Sequence, residues 1–201
     1  MDGLEGPENS PETSAIVVGY GRFGQTVAQM LMAKGIGATI IDKKPSQIEL
    51  SGEFGTKVYY GDGLRLDLLR GAGAETAKVI AFCNDNEGGE LSRSAVKAVL
   101  DAFPQASVMV RVYDRRHLIE LRGLDLVLAE RELFESAVVM GTAALRASGV
   151  GPREAERVER EYRIRDCDRL ERQRATGDIR AGWETSFGED RSLPDEEATP
   201  A

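Results

Sequence analysis

Short apolar runs recur along the chain at Ala15 to Val18, Ala38 to Ile41, Lys57 to Tyr60, Val79 to Cys83, Val108 to Val112 and Leu124 to Leu128. Each is strand-sized, and Val79 to Cys83 is continuously apolar, as a parallel sheet covered on both faces requires. Helical spacing fills the gaps. A helix is predicted over Gln25 to Lys34 and ended by Gly35 in a left-handed cap. The Ser46 and Glu49 spacing is a capping box for a short helix running to about Phe54. Leu64, Leu68 and Leu69 give another short helix its buried side, stopped by Gly71 to Gly73. Further helices are predicted over Glu90 to Phe103 and Asp114 to Arg122. This alternation predicts an α/β fold, a doubly wound Rossmann-like parallel sheet.

After the sheet the pattern changes. From Arg131 to Ser148, Phe134, Ala137, Val138, Val139, Met140, Ala143, Ala144 and Leu145 leave only a narrow polar stripe, so one covering surface is not enough for this helix. It is expected to pack on its own domain and also on a partner. Gly149 to Pro152 breaks it, and Arg153 to Arg174 reads as a charged helical arm with Ala155, Val158 and Tyr162 as its contact side. Glu156/Arg160, Glu159/Arg163 and Glu161/Arg165 are acid-before-base pairs at i, i+4, each contributing roughly 0.2 to 0.5 kcal/mol on an exposed helix. The expected organisation is a linker over 1–13, a nucleotide-binding domain over 14–129, a dimerisation helix and arm over 130–175, and a flexible acidic tail over 176–201 in which Trp183 and Phe187 are the apolar residues able to dock.

The candidate chemistry lies where the first strand ends. Ser14 to Gly24 reads S-A-I-V-V-G-Y-G-R-F-G, with Gly19, Gly21 and Gly24 at the spacing of a G-x-G-x-x-G fingerprint. Gly19 permits the tight turn, Gly21 lets backbone N–H groups approach a phosphate, and Gly24 brings helix and sheet together. The helix N-terminus adds unpaired donors and partial positive charge. Asp42 closes the next strand eighteen positions after Gly24, which suits a carboxylate accepting from ribose hydroxyls. Its charge would repel a 2′-phosphate, despite Lys43 and Lys44 beside it. Asn84, Asp85 and Asn86 follow the fourth strand, where ligands sit in such sheets.

Composition narrows the function. The net charge of −8 is concentrated at the ends: Met1 to Ser14 carries four acids and no base, and Glu184 to Ala201 six acids and one Arg, which leaves the remainder close to neutral. Nothing there argues for nucleic acid. No apolar run approaches the roughly 18 residues of a membrane span, and no signal-peptide pattern is present, so the chain is expected to be soluble and cytosolic. Cys83 and Cys167 are too few for a disulfide framework and read as inert thiols. His117, the single histidine, reads as a helix-surface side chain and offers little to a metal site or a His-based catalytic pair.

G-Y-G-R-F-G, the Y-Y-G-D-G after the third strand, Asn84-Asp85, R-V-Y-D-R-R-H at Arg111 to His117 and A-E-R-E-L-F-E-S-A at Ala129 to Ala137 come in a telling order. As a set, over about Ala15 to Tyr162, the chain resembles the cytosolic regulatory domain of the Kef glutathione-gated potassium efflux systems, one branch of the KTN/RCK (TrkA-N type) regulators of potassium transport. The resemblance implies that Gly19, Gly21, Arg22, Phe23 and Gly24 hold phosphates, that Asp42 holds the ribose, and that Asp62 and Asp85, with Lys43 among the cofactor-binding residues, complete a pocket for AMP or NAD(H). It implies glutathione or a conjugate bound at a homodimer interface, with Arg131 gripping it. The family places an asparagine for glutathione on the helix after Gly-Pro; the aligned position here is Asp166, whose carboxylate would repel an anionic tripeptide. The implied partners are a membrane antiporter domain, fused or separate, and an ancillary flavoprotein of the quinone-reductase type. The implied location is the inner face of the cell membrane.

A ligand-sensing gate fits these residues best. The alternative is an NAD-dependent oxidoreductase, which needs a proton donor by the nicotinamide and usually a substrate domain. Only some seventy residues follow the sheet, mostly charged. A structural adaptor would leave Gly19, Asp42 and Asp62 at ligand positions unexplained.

Overall fold

The computed structural model describes residues 14–44, 57–86 and 89–182. The expected N-terminal linker, the capping box at Ser46 and Glu49 with its short helix, and Trp183 and Phe187 all lie outside the described residues.

The chain runs β1 (Ala15–Val18), α1 (Arg22–Met32), β2 (Ala38–Asp42), β3 (Lys57–Tyr60), α2 (Leu66–Gly71), β4 (Val79–Phe82), α3 (Arg93–Ala102), β5 (Ser107–Val112), α4 (Arg115–Glu120), β6 (Leu128–Arg131), α5 (Phe134–Ala147) and α6 (Pro152–Thr176). The six strands form one sheet in the order β3-β2-β1-β4-β5-β6. β1 pairs in parallel with β2 and β4, placing Val17 opposite Ile40 and Ala81; β2–β3 and β4–β5 are also parallel. This is the doubly wound Rossmann-like fold that the alternation predicts. β1 is apolar throughout because it is central: Ala15, Ile16 and Val17 are fully buried. Val17, Tyr20, Ala28, Ile40, Ala81 and Cys83 form a core cluster on which Phe23, Val27 and Leu31 of α1 pack.

Several boundaries differ from the sequence reading, each for a local reason. α1 begins at Arg22, not Gln25, because Gly21 takes the N-cap position and Arg-Phe-Gly becomes the first turn. Gly35 has φ +69 and its N–H donates to the Met32 carbonyl at 2.8 Å, the left-handed ending expected. α3 begins at Arg93 because the Ser92 hydroxyl caps it, accepting from the Ala95 N–H. β6 begins at Leu128 rather than Leu124. The Leu126 N–H turns back to the Leu124 carbonyl at 2.9 Å, and Val127 is the residue whose N–H reaches β5, at the Val108 carbonyl. The alternating leucines therefore belong to a turn.

The chain divides into two compact units, Met1–Tyr113 with Gly123–Glu130 and Asp114–Arg122 with Arg131–Ala201. In the second, α6 packs on α5 and α4. Ala155 is buried, Val158 half-buried, and Tyr162 stacks on Phe134 with ring centroids 6.2 Å apart. The buried stripe of α6 then turns polar at Asp166 and Gln173, which its charged sequence hides. His117 is also buried, at 7% exposure, and not on the surface as its charged neighbours imply, because α4 carries a packed face with Leu118. Of the three expected arm pairs, Glu159–Arg163 and Glu161–Arg165 form, whereas Glu156 pairs with Arg146 of α5.

Cys83 is buried and Cys167 exposed. Burial pushes the Cys83 thiol from its ordinary 9.0 up to about 12, with nearby Arg111 opposing. The folded state thus keeps a proton that the unfolded chain releases, so this thiol removes stability as pH rises from about 9 to about 12. At pH 8 one thiol per native chain should react with an aromatic disulfide reagent, and the second only after denaturation. Two fast native thiols would contradict this burial.

Candidate functional site

β1 lies between β2 and β4, where the strand order reverses, the position beyond which ligands sit in sheets of this kind. The glycine turn stands at the end of β1 there. Gly19 has φ +89, and a Cβ there would sit 2.6 Å from the Asn84 backbone, so two independent constraints demand glycine. A Cβ on Gly24 would lie 1.9 Å from the Gly19 carbonyl oxygen and 3.3 Å from Cys83 Cβ, which is how α1 approaches the sheet so closely. Gly21 differs: a Cβ would meet no atom within 4 Å. Its side faces open space.

Gly21 caps α1 without a side-chain hydrogen bond, so the first-turn N–H groups of Arg22, Phe23 and Gly24 have no such acceptor and constitute an anion-facing terminus. Arg22 is exposed. The Phe23 ring packs on the core cluster under Arg111, whose guanidinium carbon is 5.1 Å from the ring centroid. Any phosphate contact by Phe23 is left to its backbone. Arg111 also donates to the Cys83 carbonyl at 3.0 Å, tying the end of β4 to the start of α1. The sequence reading gave Arg111 no role of its own, though a charge inside the apolar run S-V-M-V-R-V was a signal.

Asp42 ends β2 beside this turn. Its Oδ2 accepts from the Tyr20 N–H at 2.6 Å and its Oδ1 from the Lys44 N–H at 2.7 Å, so the carboxylate orients the glycine turn and retains lone pairs for further donors. Lys43 donates to Glu90 at 2.7 Å and lies 3.5 Å from Asp62, and the Glu90 hydrogen bond, with Asp62 adding, holds its ammonium above the usual lysine range. Asp62 accepts from the Leu64 N–H at 3.0 Å inside the Gly61-Asp62-Gly63 loop. A Cβ on Gly63 would overlap Val18 at 2.3 Å, which seats this loop against the end of β1. Asp85 is exposed past β4, while Asn86 is buried and accepts from the Leu91 N–H, a scaffold role. Thus Asp42, Lys43 and Asp62 are brought together at the strand ends; Glu90, 47 residues from Lys43, was missed.

Residues 15–129 match the TrkA-N domain family. The chain belongs to the TrkA-N family. The resemblance to Kef regulatory domains is borne out as well. A glutathione-regulated potassium-efflux system protein of Haemophilus influenzae is 41% identical over 160 residues, 79% of this chain and 25% of that protein. The glutathione-regulated potassium-efflux system protein KefC of Salmonella arizonae is 41% identical over 140 residues, 70% of this chain and 22% of KefC. The chain therefore spans about a quarter of the length of the curated relatives it matches. Among solved structures, the Shewanella denitrificans Kef CTD in its AMP-bound form is similar with a TM-score of 0.69 and 34% identity, covering 81% of this chain and 98% of that one. The GsuK channel bound to NAD, at 16% identity and a TM-score of 0.52, covering 68% of this chain and 24% of its own, shares the fold alone.

The TrkA-N match ends just before Arg131, in the second unit. Arg131 stands at the end of β6, ahead of α5, and its guanidinium carbon lies 3.9 Å from the Phe134 ring centroid. Arg131 and Asp166, both proposed from the sequence for one ligand, are in contact with each other. Asp166 is 6% exposed and its charge is engaged by Arg131 and Arg115, so it is not a bare repulsive carboxylate. Arg115 was given no role from sequence, although it lies within the R-V-Y-D-R-R-H run. Leu133, the N-cap of α5, and Val139 and Met140 on α5 are 68%, 64% and 75% exposed in this single chain. No helix among the described residues is long and apolar enough to cross a membrane.

Proposed function

We propose that this chain is the ligand-sensing regulatory part of a potassium efflux (K+/H+ antiport) system of the Kef kind. It binds AMP or NAD(H) at the end of β1 and glutathione or a conjugate beside Arg131 at an interface between two copies. Ligand occupancy biases two arrangements of the dimer, and an antiporter domain at the inner face of the membrane responds to the difference. The observation that carries the nucleotide part is the α1 N-terminus: a terminus without a side-chain cap, a Gly21 facing open space, and Asp42 fixed beside it. Support comes from the AMP-bound Shewanella Kef CTD, to which the chain is 34% identical.

Nucleotide released from denatured protein and identified by mass spectrometry tests this directly. In calorimetry AMP and NADH should bind more tightly than NADPH, because Asp42 repels a 2′-phosphate and the Lys43 ammonium is already engaged by Glu90 and Asp62. No released nucleotide, and no heat with AMP or NADH, would sink the reading.

The dimer part rests on α5. Val138 and Thr142 are the residues of α5 that this chain buries, and Leu133, Val139 and Met140 remain on the outside of an apolar helix. A second copy related by a two-fold axis would cover them. Val139→Glu should then give monomers in light scattering at micromolar concentration, since a charge unpaired in a dry interface costs several kcal/mol, about 3 or more. A wild-type chain that is already monomeric under those conditions contradicts the dimer.

A further inference from the structure

Asp166 lies on the packed side of α6 with 5% of its side chain exposed, and both its oxygens are occupied. Arg115 Nη2 donates to Oδ1 and Arg131 Nη2 to Oδ2, while Arg131 Nη1 also reaches Oδ1 at 3.3 Å. Arg131 thus meets the carboxylate through two N–H groups, with the Phe134 ring against its guanidinium. Arg169, on α6 itself, comes within 3.7 Å of Oδ1. A paired guanidinium fork closed on a carboxylate is how arginine recognises an anionic ligand. Here the chain supplies that carboxylate itself.

The contact has mechanical reach. Arg115 is on α4, Arg131 ends β6 and Asp166 is on α6, so one carboxylate ties three parts of the second unit. Arg115 Nη1 also donates to Gln173 Oε1 at 3.2 Å, and Gln173, 2% exposed, donates through Nε2 to the Ile179 carbonyl at 2.5 Å. A change at Arg115 therefore reaches the end of α6 and the segment after it. Burial holds the Arg115 pKa below its usual value, Arg169 and Arg131 push the same way, and Asp166 opposes them.

We propose that Asp166 is a built-in stand-in for a ligand carboxylate. It fills the Arg115–Arg131 fork while the site is empty, and an anionic peptide binds by displacing it, which frees α6 from α4 and from the end of β6. This rests on the reading above that Arg131 receives glutathione; it adds Arg115 as the second guanidinium of that site and Asp166 as its competitor. One carboxylate replaces another, no bond is made or broken covalently, and the guanidiniums stay paired in both states. A ligand can shift such an element only by its advantage over the internal partner. That requirement makes α6 a two-position element that reports occupancy.

The test titrates glutathione, with AMP present, into the wild-type chain, Asp166→Asn and Arg131→Lys, and follows amide hydrogen exchange over residues 166–179. Asp166→Asn should bind glutathione at least about tenfold more tightly, the scale of one charge-assisted contact. In the wild type, glutathione should speed exchange over 166–179; in Asp166→Asn that exchange should be fast already and unmoved by ligand. Far-UV circular dichroism serves as the folding control for the variants, because nucleotide binding in the first unit would not report on the second. If wild type and Asp166→Asn bind equally, wild-type exchange stays unchanged and Arg131→Lys weakens binding, the site exists and the displacement is wrong. If neither wild type nor Asp166→Asn takes up glutathione, the site at Arg131 and the displacement both fall. Should Asp166→Asn fail the folding control, wild-type exchange decides alone: faster with glutathione upholds the displacement, slower or unchanged overturns it.

Discussion

Gly24→Ala should destabilise this protein by about 3 kcal/mol or more, read as a fall in the urea midpoint, because overpacking against backbone has no rotamer escape. The added carbon would sit 1.9 Å from the Gly19 carbonyl oxygen, and behind it Cys83 Cβ at 3.3 Å blocks a compensating slide of α1. Gly21→Ala is the control. Its φ of −69 is ordinary and nothing lies within 4 Å of the new carbon, so stability should fall by at most about 1 kcal/mol, the scale of an unfavourable N-cap. Yet nucleotide affinity should drop tenfold or more, since the space the methyl enters is the space proposed for the phosphates. The two glycines thus separate fold from binding. Equal effects of Gly24→Ala and Gly21→Ala on stability would mean that the turn is not packed as described.

The second large effect is expected at Asp166→Ala. Arg115 and Arg131 side chains are 14% and 16% exposed, and the substitution removes the acceptor they share. Leaving buried guanidiniums without their carboxylate costs about 3 to 5 kcal/mol. The loss should be local to the second unit: amide protection should collapse over the second half of α6, while the amides of β1 and β4 keep theirs. Uniform loss across both units would show that the cluster supports the whole chain, and unchanged protection in α6 would show that it supports nothing. Replacing Arg131 alone should cost less, because Arg115 would still hold Asp166 Oδ1.

Much of the first unit was legible from local rules. The strand over Ala15–Val18 and the glycines behind it follow in good part from local sterics, a positive φ at Gly19 and the Gly19 carbonyl against Gly24, to which the fold adds contacts with Asn84 and Cys83. The position of Asp42 at the end of β2 follows from strand length alone. Boundaries moved where a cap outweighed hydrophobic period, as Ser92 does for α3, and where an apolar alternation served a turn, as at Leu124 and Leu126. Both shifts come from single hydrogen bonds that a periodicity count does not contain.

The sequence by itself determined the order of elements, the doubly wound sheet and the glycine turn after β1, because each is set by nearest neighbours and by burial of apolar runs. Only the tertiary structure decided which charges distant in the chain meet. Asp166 finds Arg131 across 35 positions and Arg115 across 51, and Lys43 finds Glu90 across 47. It also decided that His117 is inside. In a helix as charged as α6 every acid has several bases within reach of a sequence rule, so nothing local marks Asp166 out. Which one is driven inside depends on the face that packs against α4 and α5, and the energy of a buried ion pair is fixed by its desolvation and geometry, which exist only once the chain has folded.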